Sequence, residues 1–320
     1  MSAHLARRRL ATVVPGYVRQ ASATSSVTAG GVSDPHAYCR EIVKKQDQES
    51  FMISHLWPKG AQGSYFALKA FYVELATVQE SVSNAMLGTM RMQFWRDAIK
   101  SISEGRPPQH PIALALHSAC QRSNLQPYHL KRLIDARSSE LETPTFITLD
   151  QLTTHAESTS STLNYLLLSS LHSSLSSSET LSHAASHLGV AQSLSVRLRA
   201  LPFHAGKGRM ALPAEVNAKH GVREGEVFEK GGEAKGLRDA VFEVATLAND
   251  HLLTARSMFK DAGGKVPKEA MPVFAAGVPV ANFLQRLEQA DFDAFAGSVR
   301  AKAGWRLPYK LWRYSQTREF

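Results

Sequence analysis

The chain has 320 residues, of which 43% are apolar and 20% are charged, proportions typical of an ordinary globular protein with a substantial core. Its formal net charge of +9 suits an anionic membrane surface or an acidic partner, and the absence of a basic-aromatic recognition motif argues against nucleic acid. Its two cysteines, Cys39 and Cys120, lie far apart without CxxC spacing. This argues against a disulfide framework or a zinc module and favours a reducing compartment.

The first 33 residues differ in kind from the rest of the chain. They contain four arginines and many Ser, Ala and Thr residues, and no acidic residue precedes Asp34. This composition is typical of a mitochondrial presequence, with a disordered basic tail as the alternative. The four arginines supply +4 of the net charge of +9, which leaves +5 for the remainder, a moderate excess. We therefore predict a mitochondrial presequence and linker over residues 1–33.

Helical signals begin directly after this segment. Asp34 can cap a helix and Pro35 suits its first turn. Apolar residues then recur at helical spacing in two stripes, Phe71, Leu75, Val78, Val82 and Leu188, Ala191, Leu194, Leu198. Breaks are predicted at residues 57–60, 105–108, 143–144, 173–178, 206–213 and 231–232. Because alternating strand patterns are absent, we predict a single all-α domain over residues 34–320.

Three further features carry possible binding chemistry. Met86, Met90, Met92, Phe94 and Trp95 suit either a lipid pocket or an adaptable helical core. His183 and His187 have the i, i+4 spacing of a metal pair but lack a metalloprotease glutamate and an evident third ligand, so capping or core histidines are the alternative. Residues 206–209, Gly-Lys-Gly-Arg, suit either a phosphate grip or a solvated basic turn.

The membrane signals are those of a protein that touches a bilayer without crossing it. No stretch reaches the roughly 18–20 apolar residues of a spanning helix. The longest candidate, residues 271–281, contains Pro272, Gly277 and Pro279. By contrast, residues 300–318 contain six basic residues and no acid, interleaved with Trp and Tyr. We expect a short amphipathic segment here, interrupted by Pro308, that contacts the membrane; a tail packed on the domain is the alternative.

Two segments resemble the signatures of the squalene/phytoene synthase superfamily. The first comprises Ser50-Phe51, Trp57-Pro58 and residues 70–80; the second runs from Gly189 to the Gly-Arg-Met-Ala-Leu-Pro of residues 208–213. Residues 94–98 and 104–111 match the region between them. The resemblance covers most of residues 34–220 in the right order. It implies an isoprenoid-synthase-like helical bundle with a central cavity.

The catalytic carboxylates of that superfamily are largely missing here. Catalytic members use magnesium, which prefers oxygen ligands, to bind two prenyl diphosphates and join them head to head. The family's Arg, Asp, Asp and Asp correspond to Val73, Ala76, Thr77 and Glu80, and its Gln, Asn, Asp and Asp correspond to Ser193, Val196, Ala200 and His204. Only Glu80 keeps a carboxylate. With Arg199, these positions form a predicted vestigial pocket, for which we expect no catalysis, cofactor or metal.

The replacements are themselves informative. Residues 73–76, 91–95, 183–187 and 198–213 resemble a non-catalytic mitochondrial branch of the superfamily that serves respiratory complex I. The resemblance implies a role in early complex I assembly on membrane-arm subunits, at the matrix side of the inner membrane. Complex I subunits or assembly intermediates would be the partners. A residual prenyltransferase and an isoprenoid- or lipid-binding protein are the alternatives.

Overall fold

Helices build the part of the chain that this computed structural model describes, residues 34–82, 84–301 and 304–320, where no strand occurs. Those before the chain midpoint are α1 (Pro35–Gln46), α2 (Gln48–Ile53), α3 (Lys59–Ser81), α4 (Ala85–Ser103), α5 (Pro111–Arg122), α6 (Pro127–Glu142) and α7 (Leu149–Ala156). Those after it are α8 (Thr162–Leu171), α9 (Ser173–Ser176), α10 (Glu179–Ala205), α11 (Ala214–Lys219), α12 (Glu224–Lys230), α13 (Leu237–Ser257), α14 (Met271–Phe274), α15 (Gly277–Gln289), α16 (Gly297–Arg300) and α17 (Arg306–Thr317). A π-helical turn, Glu157–Ser161, joins α7 to α8. The predicted all-α class is confirmed.

Local sequence signals explain where most helices begin and end. At the start of α1, the Asp34 side chain accepts hydrogen bonds from the backbone N–H groups of His36 and Ala37, and Pro35 occupies the first turn, as predicted. Five of the six predicted breaks separate helices. The sixth, the serine run, is wrong in part because the short helix α9 forms inside it. The Ser176 hydroxyl donates to the Ser173 carbonyl at 2.8 Å and so supports one helical turn.

The core is organised around α3 and α10. Phe71, Leu75 and Val78 of α3 are buried, and so is the whole predicted α10 stripe. Helix α10 packs along α13 and against the π-helical turn, while α3 packs against α1, α5 and α8. These contacts hold the two motif-bearing helices in fixed positions within one bundle.

The α10–π-turn contact depends on Gly189. A Cβ atom at this position would lie 2.4 Å from the backbone N and Cα atoms of Ser161, a distance that only glycine avoids. The Ser161 hydroxyl also donates to the Ser186 carbonyl of α10 at 2.7 Å. Gly189 is the first residue of the second family-like signature. The close approach of the Ser161 backbone explains why a glycine is needed at this position.

The carboxyl-terminal helix α17 has two different faces. Leu307, Leu311 and Tyr314 are buried against the domain, whereas Trp305, Tyr309 and Trp312 are 76%, 53% and 59% exposed. The expectation that Pro308 interrupts this helix is wrong. Pro308 lies in the first turn of α17, where its missing N–H group costs no intrahelical hydrogen bond.

No helix in the described residues combines the length and the apolar character needed to cross a bilayer. The apolar stretch at residues 271–281 divides between α14 and α15.

Candidate functional site

A cavity of about 380 Å³ lies among α2, α3, α6, α10 and α15. All nine residues of the predicted pocket line it: Val73, Ala76, Thr77, Glu80, Ser193, Val196, Arg199, Ala200 and His204. The α3 residues recur at i, i+3, i+4 and i+7, which places them on one face of that helix. The structure therefore brings both motif helices to one cavity. Whether this cavity is the vestige of a catalytic site stays a prediction.

The side chains at the positions that correspond to the family's aspartates offer little to a metal ion. Val73, Ala76, Val196 and Ala200 have no ligating atom. The Thr77 hydroxyl donates to the Val73 carbonyl at 2.9 Å, within its own helix. Glu80 is thus the single carboxylate among the eight positions that correspond to the family's two motifs.

Glu80 is bound by two basic side chains from the loop after α10. Lys207 and Arg209 each donate to a different oxygen of its carboxylate. Burial alone would raise the pKa of Glu80, but the hydrogen bonds and charges of Arg209 and Lys207 outweigh it and lower that pKa. Of the two alternatives for residues 206–209, the solvated basic turn agrees with the exposed turn at residues 206–208. Lys207 and Arg209 from this segment also form ion pairs with the cavity-lining Glu80.

Two further ion pairs connect helices at the cavity wall. Arg199 Nη1 lies 2.6 Å from Glu49 Oε1 and so joins α10 to α2. Lys69, only 8% exposed, has its Nζ atom 4.0 Å from Asp47 Oδ2. Both carboxylates line the cavity, and both are paired with a cation.

A buried charge network, which the sequence analysis missed, occupies another part of the wall. Glu140 of α6 accepts from Arg137 Nη1 at 2.6 Å and from Arg197 Nη2 of α10 at 2.7 Å, and His155 Nε2 lies 3.4 Å from it. Arg137 also donates to the Tyr72 hydroxyl at 3.2 Å. The i, i+3 spacing of Arg137 and Glu140 on a helix was a usable signal for one of these pairs.

The electrostatics of this network favour a charged Glu140. Burial disfavours its carboxylate, but the charge of Arg137, the hydrogen bond from His155 and the charge of Arg197 hold the pKa of Glu140 well below its usual range. Burial lowers the pKa of His155 despite the neighbouring Glu140, which keeps its imidazole neutral near pH 7.

The residues present do not fit the magnesium ions that the family implies. Each of the four carboxylates that line the cavity, Asp47, Glu49, Glu80 and Glu140, has a cationic partner. Within the described ranges, no group of three His, Cys, Asp or Glu side chains is arranged to hold a metal. The lining can instead bind a ligand through hydrogen bonds, positive charge and apolar contacts.

The two histidines with metal-pair spacing do not act as a pair. His187 Nδ1 lies 2.9 Å from Nδ1 of His251 on α13, so the N–H group of one ring donates a hydrogen bond to the other ring. Burial lowers the pKa of both residues; in addition, the charge of His183 lowers the pKa of His187, and the charge of His187 lowers the pKa of His251. The spacing identified a polar contact in the helix interface and not a site shared with His183.

The methionine-rich stretch on α4 divides between core and surface. Met92 and Trp95 are fully buried, as the core alternative predicted. Met86, Met90 and Phe94 are 73%, 62% and 40% exposed. None of the five residues lines the cavity described above, so they do not form a lipid pocket there.

Comparison with solved structures shows the fold. A dehydrosqualene synthase superposes with a TM-score of 0.73 at 17% identity, covering 88% of this chain and 95% of that one. The squalene synthase HpnC from Alicyclobacillus acidocaldarius superposes with a TM-score of 0.70 at 13% identity, covering 82% and 95%.

Comparison of sequences shows closer relatives. A Rattus norvegicus protein named NADH dehydrogenase (ubiquinone) complex I, assembly factor 6 is 38% identical over 303 residues, which cover 95% of this chain and 88% of that protein. The Homo sapiens protein of that name is 35% identical and covers 90% and 84%. A Drosophila melanogaster homolog is 31% identical and covers 80% and 76%.

The family model for squalene/phytoene synthase matches residues 43–313, nearly the whole of the helical bundle. The chain therefore belongs to the squalene/phytoene synthase family, together with the relatives named complex I assembly factor 6.

Proposed function

We propose that this protein assists the assembly of mitochondrial respiratory complex I, at an early stage and on membrane-arm subunits, without catalysing prenyl transfer. The assembly role is supported by the relatives named complex I assembly factor 6, whose similarity extends over most of both chains. Complex I subunits or assembly intermediates are the proposed partners. The matrix side of the inner membrane is the proposed location.

One observation carries the non-catalytic part of the proposal. The single carboxylate left in the two motifs, Glu80, is engaged by Lys207 and Arg209. Magnesium bound to a diphosphate needs several oxygen ligands, and a carboxylate already neutralised by two cations is a poor one. The cavity is thus better suited to structure or binding than to ionisation of a diphosphate.

The assembly role is tested by deleting the gene and measuring complex I on native gels. We expect less mature complex I and fewer membrane-arm intermediates, with sterol and carotenoid levels unchanged. Re-expression of the Glu80→Gln variant should restore complex I, because the proposed role uses no catalytic carboxylate. Normal complex I together with altered sterols would reverse this assignment.

The prenyltransferase alternative has its own test. The purified protein should consume neither farnesyl nor geranylgeranyl diphosphate in the presence of Mg²⁺, as monitored by product extraction. Turnover that disappears in a Glu80→Ala variant would re-establish the enzyme.

The location in mitochondria rests in part on residues 1–33, which lie outside the described residues. Sequencing of the amino terminus of the protein isolated from mitochondria tests the presequence. A new terminus near residue 34 is expected, and an intact Met1 would contradict the prediction.

The peripheral membrane contact is assigned to the outer face of α17. Trp305, Tyr309 and Trp312 are exposed there at i, i+4 and i+7, beside the exposed basic side chains of Arg306 and Arg313. Trp and Tyr favour the membrane interface, and each basic residue near an anionic surface contributes about 1 kcal/mol. The opposite face of the same helix packs on the domain through Leu307, Leu311 and Tyr314, and the membrane contact of the outer face remains part of the proposal.

Vesicle binding distinguishes this surface from a merely packed tail. Arg306→Glu with Arg313→Glu should strongly reduce sedimentation with cardiolipin-containing vesicles at low salt. Lys131→Glu with Lys235→Glu changes the net charge equally at exposed positions elsewhere and should have a much smaller effect. Equal effects of the two double variants would remove α17 from the contact. Lys310 is unsuitable for the test because it donates to Asn282 and Gln285 of α15.

A further inference from the structure

The buried network around Glu140 carries more positive than negative charge. Arg137 and Arg197 contribute two cations against the one carboxylate, and His155 is neutral near pH 7. The side chains of Arg137, Glu140 and Arg197 are only 15–16% exposed. A surplus charge in such a position is costly unless an anion compensates it.

The same wall of the cavity offers hydrogen-bond donors that other residues do not use. Among the described residues, Arg197 donates only through Nη2, and its guanidinium is held in place by stacking on the Phe146 ring at 4.5 Å. Ser195 is also a lining residue of the cavity, but its hydroxyl oxygen is buried and has no partner within the described ranges.

The rest of the cavity adds apolar surface. Leu75, Leu163 and Phe283 line it from three different helices. A ligand that fits must therefore combine one negative charge with an apolar body. A guanidinium edge matches a carboxylate in shape, and one carboxylate balances the surplus charge of the Glu140 network.

We propose that this cavity binds the carboxylate of an apolar ligand through Arg197, without a metal ion. The site is made by α6, α7 and α10 and does not use the positions that correspond to the family's aspartates. It also does not depend on the assembly role, so either proposal can fail alone.

The probe is dodecanoate, titrated calorimetrically into the full chain in the presence of EDTA. Saturable binding of one dodecanoate per chain is expected. Dodecan-1-ol and dodecyltrimethylammonium carry the same alkyl chain with a neutral or positive head and should bind at least about tenfold more weakly. Equal binding of all three amphiphiles, or no binding of dodecanoate, would overturn the proposal.

Variants then locate the head group. Arg197→Gln should raise the dissociation constant of dodecanoate by about tenfold or more, since a charge-assisted hydrogen bond is lost. The matched control Arg96→Gln removes an arginine that is paired with Asp135 outside the cavity, and it should leave the dissociation constant of dodecanoate unchanged. Similar constants for the two variants would refute the site. If Arg197→Gln does not fold, the head-group series on the unaltered chain still decides.

Discussion

At the scale of single residues, burial determines how much an ion pair contributes to stability. The Glu140 carboxylate joins two arginines and a histidine at 16% exposure, whereas Asp135 pairs with Arg96 at 62% exposure. Removal of one partner from a buried pair leaves an uncompensated charge. In an exposed pair, water screens the attraction between the charges, and water hydrates each charge when the pair is broken.

Glu140 and Asp135, both on α6, give a direct comparison. Glu140→Ala should lower the free energy of unfolding by about 3–5 kcal/mol, because Arg137 and Arg197 then remain buried without their counter-ion. Asp135→Ala should change it by no more than about 1 kcal/mol. Urea unfolding followed by circular dichroism measures both. Equal losses would show that the Glu140 network is not buried as described.

Glu80 makes stability depend on pH in a defined direction. Arg209 and Lys207 lower its pKa in the folded chain relative to about 4.3 in the unfolded chain, so the folded state binds the proton less readily. The pairing then stabilises the fold fully above that value and is lost as the pH falls through the folded pKa. The stability difference between the unaltered chain and Glu80→Gln should accordingly shrink between pH 6 and pH 3. A difference independent of pH would contradict the ion pair.

At the scale of elements, the α10–π-turn contact is the least tolerant of change. Gly189→Ala would place a methyl group 2.4 Å from the Ser161 backbone, which cannot rotate away. We expect a loss of about 1–3 kcal/mol or more in unfolding free energy.

The matched control for Gly189 is Gly225→Ala in helix α12, where a Cβ atom meets nothing within 4 Å. This change should stabilise the chain by about 0.4–1 kcal/mol through the unfolded state. Thermal unfolding of both variants provides the measurement. A neutral Gly189→Ala would mean that α10 and the π-helical turn lie farther apart.

Helix α17 shows what an element gains from its tertiary setting. The sequence showed that aromatic and basic residues are interleaved in this segment. The structure adds which side of the helix is packed on the domain and which side is exposed. Pro308 is harmless because the helix begins two residues before it.

At the scale of the whole molecule, the pairing of the cavity carboxylates predicts that magnesium does not change the thermal stability of the protein. A ligand that binds only the folded state raises the melting temperature in proportion to RT ln(1 + [L]/Kd). Millimolar Mg²⁺ should therefore leave the melting temperature of this protein unchanged, as Ca²⁺ and EDTA should. A saturable rise specific to Mg²⁺ would indicate an intact metal site and weaken the non-catalytic proposal.

Much of the fold was predictable, and less of the site. The α3 and α10 stripes, the cap at Asp34 and most breaks were visible because they depend on neighbours within a few residues. The nine pocket residues were placed by resemblance to family motifs, and they do line one cavity. The short helix α9 and the location of His187 beside His251 were not predicted, since each depends on detailed hydrogen bonding or on a distant helix.

The sequence by itself determined the helical class, because this is a property of residue type and local spacing, and its resemblance to the family supplied the order of the motif segments and the positions compared with the family's aspartates. Tertiary structure alone decided how charges far apart in the sequence are paired. Glu80 meets Lys207 and Arg209 from more than 120 residues away, and Glu140 meets Arg197 across 57 residues. Such pairs form because the packing of α3, α6 and α10 around one cavity brings together residues that are far apart in the sequence. No local sequence pattern indicates which of these residues meet.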